Sequence, residues 1–209
     1  MSIGYAGILA VVVSSAAAAQ SRTWEIGVAA GGGPSIVTAS LGGVSDRQLL
    51  VTSVFVSRPF LRWGRLSASY FGEVMPVVVA TKVPELVGSW FYNRTHTDST
   101  FYAFPFGDGP DLGAGIAPVG LRLGLQLSPR LSVFAEGNGG GLAFARAMPE
   151  PAARSLNFLG SAGAGLRFGS GDRRSFIIGY RFTHLSNANT AAENPGFNAH
   201  VFYLGITFH

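Results

Sequence analysis

The sequence predicts an all-β fold: an eight-stranded antiparallel, up-and-down β-barrel of the outer-membrane kind. Three observations lead there. Charged residues make up 12% of the chain and hydrophobic ones 47%, with 29 glycines among 209 residues; charge is about half, and glycine about twice, the usage of soluble domains. Past residue 20 no apolar run approaches the ~20 residues of a helical span, which leaves a closed barrel as the way to satisfy every backbone N–H and C=O in lipid. From Arg22 onward the chain also divides into segments of about ten residues that alternate apolar with polar or small positions, the pattern of spanning strands.

Two regions are expected, a secretory signal over residues 1–19 and a single barrel domain over residues 20–209. Ile3 to Ala19 is apolar or small throughout and ends in four alanines before Gln20, which offers an A-x-A cleavage site after Ala19. Met1 to Tyr5 carry no Lys or Arg, unlike the usual signal n-region; the alternative, a membrane anchor, needs a longer segment. The absence of cysteine fits an exported protein that needs no disulfides.

The eight strands are read in order. The first, about Thr23 to Gly31, sets Trp24, Ile26 and Val28 against Glu25 and Gly27. The second, about Gln48 to Arg58, is more uniformly apolar. The third, about Arg65 to Val78, alternates Leu66, Ala68 and Tyr70 with Ser67, Ser69, Phe71 and Glu73. The fourth, about Ala117 to Leu127, has the clearest faces, with Leu121, Leu123, Leu125 and Leu127 opposite Arg122, Gly124 and Gln126. In the fifth, about Leu131 to Phe144, Gly139-Gly140-Gly141 blurs the parity and suggests a bulge. The sixth, about Leu156 to Phe168, sets Leu166 and Phe168 against Gly163, Gly165 and Arg167. The seventh, about Ser175 to Asn187, sets Phe176, Ile178, Tyr180 and Phe182 against Gly179, Arg181 and Thr183. The eighth, about Phe197 to Phe208, sets Phe202, Leu204, Ile206 and Phe208 against Tyr203, Gly205 and Thr207.

Connections after even-numbered strands are short, Pro59 to Gly64, Ser128 to Arg130 and Gly169 to Arg174, whereas those after odd-numbered strands are mostly longer, the third reaching roughly from Pro84 to Ile116. Short periplasmic turns alternating with longer outer loops orient a barrel, so both termini are expected in the periplasm and the seventh strand ends at the cell surface. Trp24, Trp63, Phe168, Phe176 and Phe208 then form an aromatic girdle at the periplasmic rim. Glu25, Glu73, Arg122, Arg167 and Arg181 point inward, where a buried ion-pair network accounts for them, because an eight-stranded barrel is filled by its own side chains. That also disfavours a solute pore.

The net charge of +4 has little bearing on partners. Arg22, Arg58, Arg62, Arg65, Arg130, Arg173 and Arg174 fall on the periplasmic side, while the outer loops mix Arg47, Lys82, Arg94, Arg146 and Arg154 with at least as many acids. Nothing in this architecture suits nucleic acid.

One stretch carries chemistry. Tyr180-Arg-Phe-Thr-His-Leu-Ser-Asn187 places His184 and Ser186 on the parity of Tyr180 and Phe182, the lipid face, at the outer end of the seventh strand. Polar groups there are costly and need a reason. On the eighth strand Asn198 and His200 share the parity of Phe202 and Leu204. Two registers suit the hairpin: Phe182 opposite Phe202 puts Ser186 against Asn198 and His184 against His200, and a shift by two puts His184 against Asn198. Either one gathers Ser, His and Asn. A serine activated by a neutral histidine, whose tautomer a third group fixes, is the apparatus of ester hydrolysis. Asn187, Asn189 or Asn194 could donate to the oxyanion. An outer-leaflet acyl lipid reaches such a site without leaving the membrane. His96, His200 and His209 suit interfacial roles, and Trp90, Phe91, Tyr92 and the aromatics from Phe101 to Phe106 suit either lipid contact or loop packing.

His184-x-Ser186-Asn187, followed by Asn194-Pro-Gly-x-Asn198 in the last hairpin of a small barrel, resembles the PagL-type lipid A 3-O-deacylases, also described as acyloxyacyl hydrolase-like. The resemblance implies an outer-membrane enzyme that removes the ester-linked acyl chain at position 3 of lipid A in lipopolysaccharide; no cofactor or metal is expected. Ser186 matches the nucleophile, His184 the base and Asn194 an oxyanion-hole residue. Where the family pattern has Glu this chain has Asn198, which can orient a histidine but adds no charge; Glu193 is the alternative acid. The competing reading is a structural or adhesive OmpA-like barrel, or a degenerate deacylase that keeps the fold. A homodimer is left open.

Overall fold

The computed structural model describes residues 23–45, 47–82, 85–92, 97–106, 109–149, 151–169 and 173–208, with the side chains of residues 85–92 and 102–106 left aside. Residues 1–19, Arg22, Arg94, His96 and His209 therefore lie outside the described residues, as do the side chains of Trp90, Phe91 and Tyr92.

The strands are β1 (Glu25–Ile36), β2 (Arg47–Trp63), β3 (Leu66–Lys82), β4 (Glu85–Tyr92), β5 (Ser99–Phe106), β6 (Asp111–Ser128), β7 (Leu131–Met148), β8 (Arg154–Phe168), β9 (Arg174–Ser186) and β10 (Phe197–Phe208). Eight of them close an antiparallel barrel in the order β1-β10-β9-β8-β7-β6-β3-β2, and β1 pairs back onto β2. This is the predicted up-and-down barrel. The segment expected as one long loop from Pro84 to Ile116 differs: β4 and β5 pair as a separate hairpin, and β6 begins at Asp111 rather than near Ala117. Leu86-Val87, and Trp90 and Phe91 paired with Phe101 and Thr100, are strong strand formers.

β2 also runs past Pro59 to Trp63, leaving only Gly64 and Arg65 as its turn. Proline has no N–H to give a ladder, and the register shifts between Pro59 and Leu61. Pro118 sits in a similar shift between Ile116 and Val119 of β6. The bulge expected from the triple glycine of β7 thus belongs to its partner, and β7 keeps one inward parity through Phe134, Glu136, Asn138, Leu142 and Phe144, all buried.

Alternation divides the barrel as predicted. Ile26, Val28, Leu121, Leu123, Phe176, Ile178, Phe202 and Leu204 are exposed, while Glu25, Arg122, Ile177 and Tyr203 between them are buried. At the turn end Ile26 pairs with Phe208 and Phe168 with Phe176. The five aromatics of the expected girdle, Trp24, Trp63, Phe168, Phe176 and Phe208, are all exposed. Arg58 lies over Trp24, its guanidinium carbon 5.3 Å from the ring centre, and Tyr70 meets Trp24 edge-on at 6.1 Å.

The lumen is filled at two levels. Nearer the turn end, Arg181 Nη1 donates to both oxygens of Glu73 at 2.9 and 2.7 Å, and its Nη2 lies 3.0 Å from Glu136. Arg122 donates to the same Glu136 through Nε at 3.0 Å and Nη2 at 2.7 Å. Tyr203 donates to Glu136 at 2.6 Å and Asn138 to Glu73 at 2.7 Å. Two carboxylates and two guanidiniums therefore cancel, with Phe55, Phe71 and Phe134 packed around Arg122. Arg167 pairs with Glu25 below them. Nearer the loop end an apolar layer of Leu49, Met75, Val78, Leu142, Phe144, Leu159, Leu185 and Phe197 takes over. Arg47, expected in an outer loop, instead opens β2 as a buried side chain, bonded to Asp111 at 2.6 Å. Asp111 needs that cation once β6 starts early enough to bury it.

Tyr203 illustrates how glycine serves this lumen. It pairs with Gly179, and a Cβ at Gly179 would lie 2.3 Å from the Tyr203 ring. Gly179→Val should push the ring off Glu136 and overpack the layer, destabilising the barrel by about 1–3 kcal/mol. Urea unfolding of the refolded protein in detergent micelles measures this; an unchanged midpoint would show that the ring has another place to go.

Candidate active site

The β9–β10 hairpin adopts the second of the two registers: His184 pairs with Asn198, Phe182 with His200 and Tyr180 with Phe202. A two-residue shift leaves parity intact, so His184 and Ser186 keep the parity of the exposed Phe176 and Ile178, and both are half-buried. Across the other edge of β9, Ser186 pairs with Phe158 and His184 with Gly160. The space next to Gly160 is open, with no atom within 4 Å of where a Cβ would be.

His184 Nδ1 lies 2.6 Å from Asn198 Oδ1. Oxygen and nitrogen of an amide are told apart by their partners, and here the partners decide. Asn198 Nδ2 donates to the carbonyl of Gly42 at 2.7 Å and of Ile36 at 3.4 Å, which leaves Oδ1 as the acceptor for His184. Nδ1 must then carry a proton, so in the neutral ring it is Nε2 that has the lone pair. That is the tautomer a general base requires.

Ser186 Oγ donates to Asn194 Oδ1 at 3.2 Å and accepts from Asn194 Nδ2 at 3.0 Å and from the Ala188 N–H at 3.1 Å. His184 is not among its partners within the described residues. Two donors thus converge on the hydroxyl oxygen, one foreseen at Asn194 and one, the Ala188 amide, that the sequence did not reveal. The turn that aims them is strained: Ala188 has φ 51° and Asn189 φ 59°. Asparagine tolerates this region and alanine does so at a cost of about 1 kcal/mol. Asn194 Nδ2 also reaches Asn189 Oδ1 at 3.0 Å, so its amide braces the turn as well.

Two other expected residues sit differently. Asn187 takes the inward parity and is buried; its Nδ2 is committed to the Glu193 carbonyl at 2.7 Å, and only its backbone N–H reaches Asn194 Oδ1, at 3.0 Å. It holds the loop, and its burial on the inward parity sets its side chain apart from the half-buried Ser186. Glu193 is exposed, and its carboxylate makes no hydrogen bond or ion pair among the described residues; it joins the hairpin through backbone atoms, and Nδ1 of His184 is already taken by Asn198. His200 stacks on Tyr180 with ring centres 5.8 Å apart, and its Nδ1 lies 2.7 Å from the Tyr180 hydroxyl.

The sequence model of the family described as Lipid A 3-O-deacylase (PagL) matches residues 85–207, more than half of the chain. No curated protein sequence matches it. Among solved structures, the one described as the outer membrane enzyme PagL superposes with a TM-score of 0.59 at 16% identity, covering 88% of this chain and 99% of that one. Neisserial surface protein A gives a TM-score of 0.47 at 9% identity, covering 88% and 96% respectively. The likeness to the PagL structure shows the fold, an eight-stranded barrel of the outer-membrane kind, and the family match shows the rest: the chain belongs to the PagL family of lipid A 3-O-deacylases.

Proposed function

We propose that the chain is an outer-membrane serine esterase that removes the 3-O-linked acyl chain of lipid A, working on the lipid-facing side of the barrel at the outer leaflet. Ser186 is the nucleophile, His184 its base, Asn198 the residue that orients His184, and Asn194 with the Ala188 N–H the oxyanion donors. What supports this most is the 2.6 Å contact between His184 Nδ1 and Asn198 Oδ1, two residues along the strand from a serine of the same parity.

The reaction starts when the Ser186 O–H turns from Asn194 towards Nε2 of His184. Successive residues of one face are about 6.6 Å apart at Cα, within reach of the two side chains. Oγ bonds to the ester carbon as its proton passes to Nε2. The carbonyl oxygen becomes an oxyanion where Asn194 Nδ2 and the Ala188 N–H can donate. Collapse breaks the bond to the sugar's 3-oxygen, which leaves with the proton from His184. Water then repeats the sequence on the acyl-enzyme, releasing a fatty acid and restoring the serine. A neutral Asn198 holds the ring but does not stabilise imidazolium by charge.

Refolded protein mixed with purified lipid A tests the reading. Gas chromatography should find the fatty acid from position 3 released and no other. The second reading, a barrel that has kept the fold and lost the reaction, draws on the Ser186 hydroxyl being bonded to Asn194 rather than to His184; no released fatty acid from correctly folded protein would favour it. Catalysis as drawn uses one chain. Pairing of two copies is a separate proposal, read from the oligomeric state in detergent.

A further inference from the structure

Asn198 shares the parity of the exposed Phe202 and Leu204, yet it is fully buried. The β1–β2 connection covers it. Thr38 and Gly42 close a small bridge, N–H to carbonyl at 2.8 and 3.1 Å in the two directions, and the Gly43 N–H donates to the Pro195 carbonyl at 2.7 Å. Glycine lets the two loops approach so closely. Gly43 has φ +120°, and a Cβ there would lie 2.5 Å from Asn198 Nδ2 and 2.5 Å from the Ile36 oxygen. Gly196 has φ +76°, and its Cβ would lie 2.8 Å from the Leu41 oxygen and 3.5 Å from His184 Cε1.

We propose that the β1–β2 loop is a working part of the catalytic site: the Ile36 and Gly42 carbonyls hold the Asn198 amide with Oδ1 towards His184, and so fix the histidine tautomer and restrict position 198 to an amide. This rests on His184 being the base. Asn198 is then a positioning residue that joins the loop to the histidine. An amide can do both tasks, since it donates on one side and accepts on the other. A carboxylate cannot: one oxygen would accept from His184, and the other would face two carbonyl oxygens with no proton between them, in a buried place where unmatched polar groups are costly. The acid that general triad logic would favour is therefore the wrong residue in this chain.

The test compares wild type, Asn198→Asp and Gly43→Ala, each refolded and checked for the folded barrel by its gel mobility before heating. Thermolysin cutting between Leu41 and Val44 reads whether the loop is held. Both substitutions should speed it by on the order of tenfold, the effect of leaving one buried polar group unmatched. The ¹⁵N spectrum of the histidine rings should show wild-type His184 protonated on Nδ1, with Gly43→Ala moving part of the population to Nε2. In the deacylation assay, Asn198→Asp should lower kcat by about tenfold or more and leave KM alone. Cutting of Asn198→Asp no faster than wild type, a wild-type His184 protonated on Nε2, or an Asn198→Asp enzyme with raised kcat would each overturn the proposal. Wild-type protein without deacylase activity, but with the loop and tautomer behaving as stated, would instead remove the assigned reaction and leave the loop lock standing.

Discussion

Replacement of Ser186 by alanine is expected to abolish deacylation, lowering kcat by at least about 10³-fold while the barrel stays folded. The size follows from what is lost: Oγ is the atom that would carry the acyl group, and enzymes stripped of the nucleophile retain only what substrate binding and oxyanion donors provide. The fold has little stake in the hydroxyl. Its partners are Asn194 and the Ala188 N–H, both at a half-exposed hairpin end where water can replace it, so the stability cost should be about 1 kcal/mol. Kinetics on refolded Ser186→Ala, with urea unfolding as the control, separate the two effects. Retention of more than a few per cent of activity would move the nucleophile elsewhere.

The second large effect is on stability. Glu136→Ala should destabilise the barrel by about 3–5 kcal/mol, because it removes one partner from a buried charge pair. Glu136 accepts two hydrogen bonds from Arg122 and one from Tyr203, and it also faces Arg181. Arg181 keeps Glu73, whereas Arg122 is left against Phe55, Phe71 and Phe134, rings that attract a cation but do not neutralise it. Equilibrium unfolding in micelles would show the loss. Replacing Glu136 and Arg122 together by apolar residues of similar volume should recover most of it; a double variant as unstable as Glu136→Ala would argue that Tyr203 or Arg181, rather than Arg122, carries the penalty.

How much of this was legible in the sequence depended on how local the cause was. The Leu121 to Leu127 alternation marked β6 because lipid on one side and a packed lumen on the other impose opposite chemistry on successive residues. The inward charges at Glu25, Glu73, Arg122, Arg167 and Arg181 could be read the same way, and Glu136 was missed only because three glycines carry no parity of their own. The β4–β5 hairpin was hidden by the lack of alternation in its aromatic-rich run. At the site, parity could place His184, Ser186 and Asn198 on one face but could not choose between registers two residues apart, since both keep the same face. The strained turn at Ala188 and Asn189 and the left-handed Gly196 fit the connection that the actual register needs. The burial of Asn198 was beyond reach for a different reason: it depends on a carbonyl 156 positions away, at Gly42. A glycine pair at Gly42-Gly43 was the single local hint that something passes close by.

The assignment of Ser186 and His184 to lipid A deacylation is met most directly by mass spectrometry of lipid A from cells expressing the wild-type chain beside cells expressing Ser186→Ala at equal amounts of folded barrel. The wild type is expected to yield lipid A lighter by one ester-linked acyl chain, lost from position 3, and Ser186→Ala to yield the unmodified molecule. Lipid A of identical mass from both, or a chain lost equally from both, would contradict it.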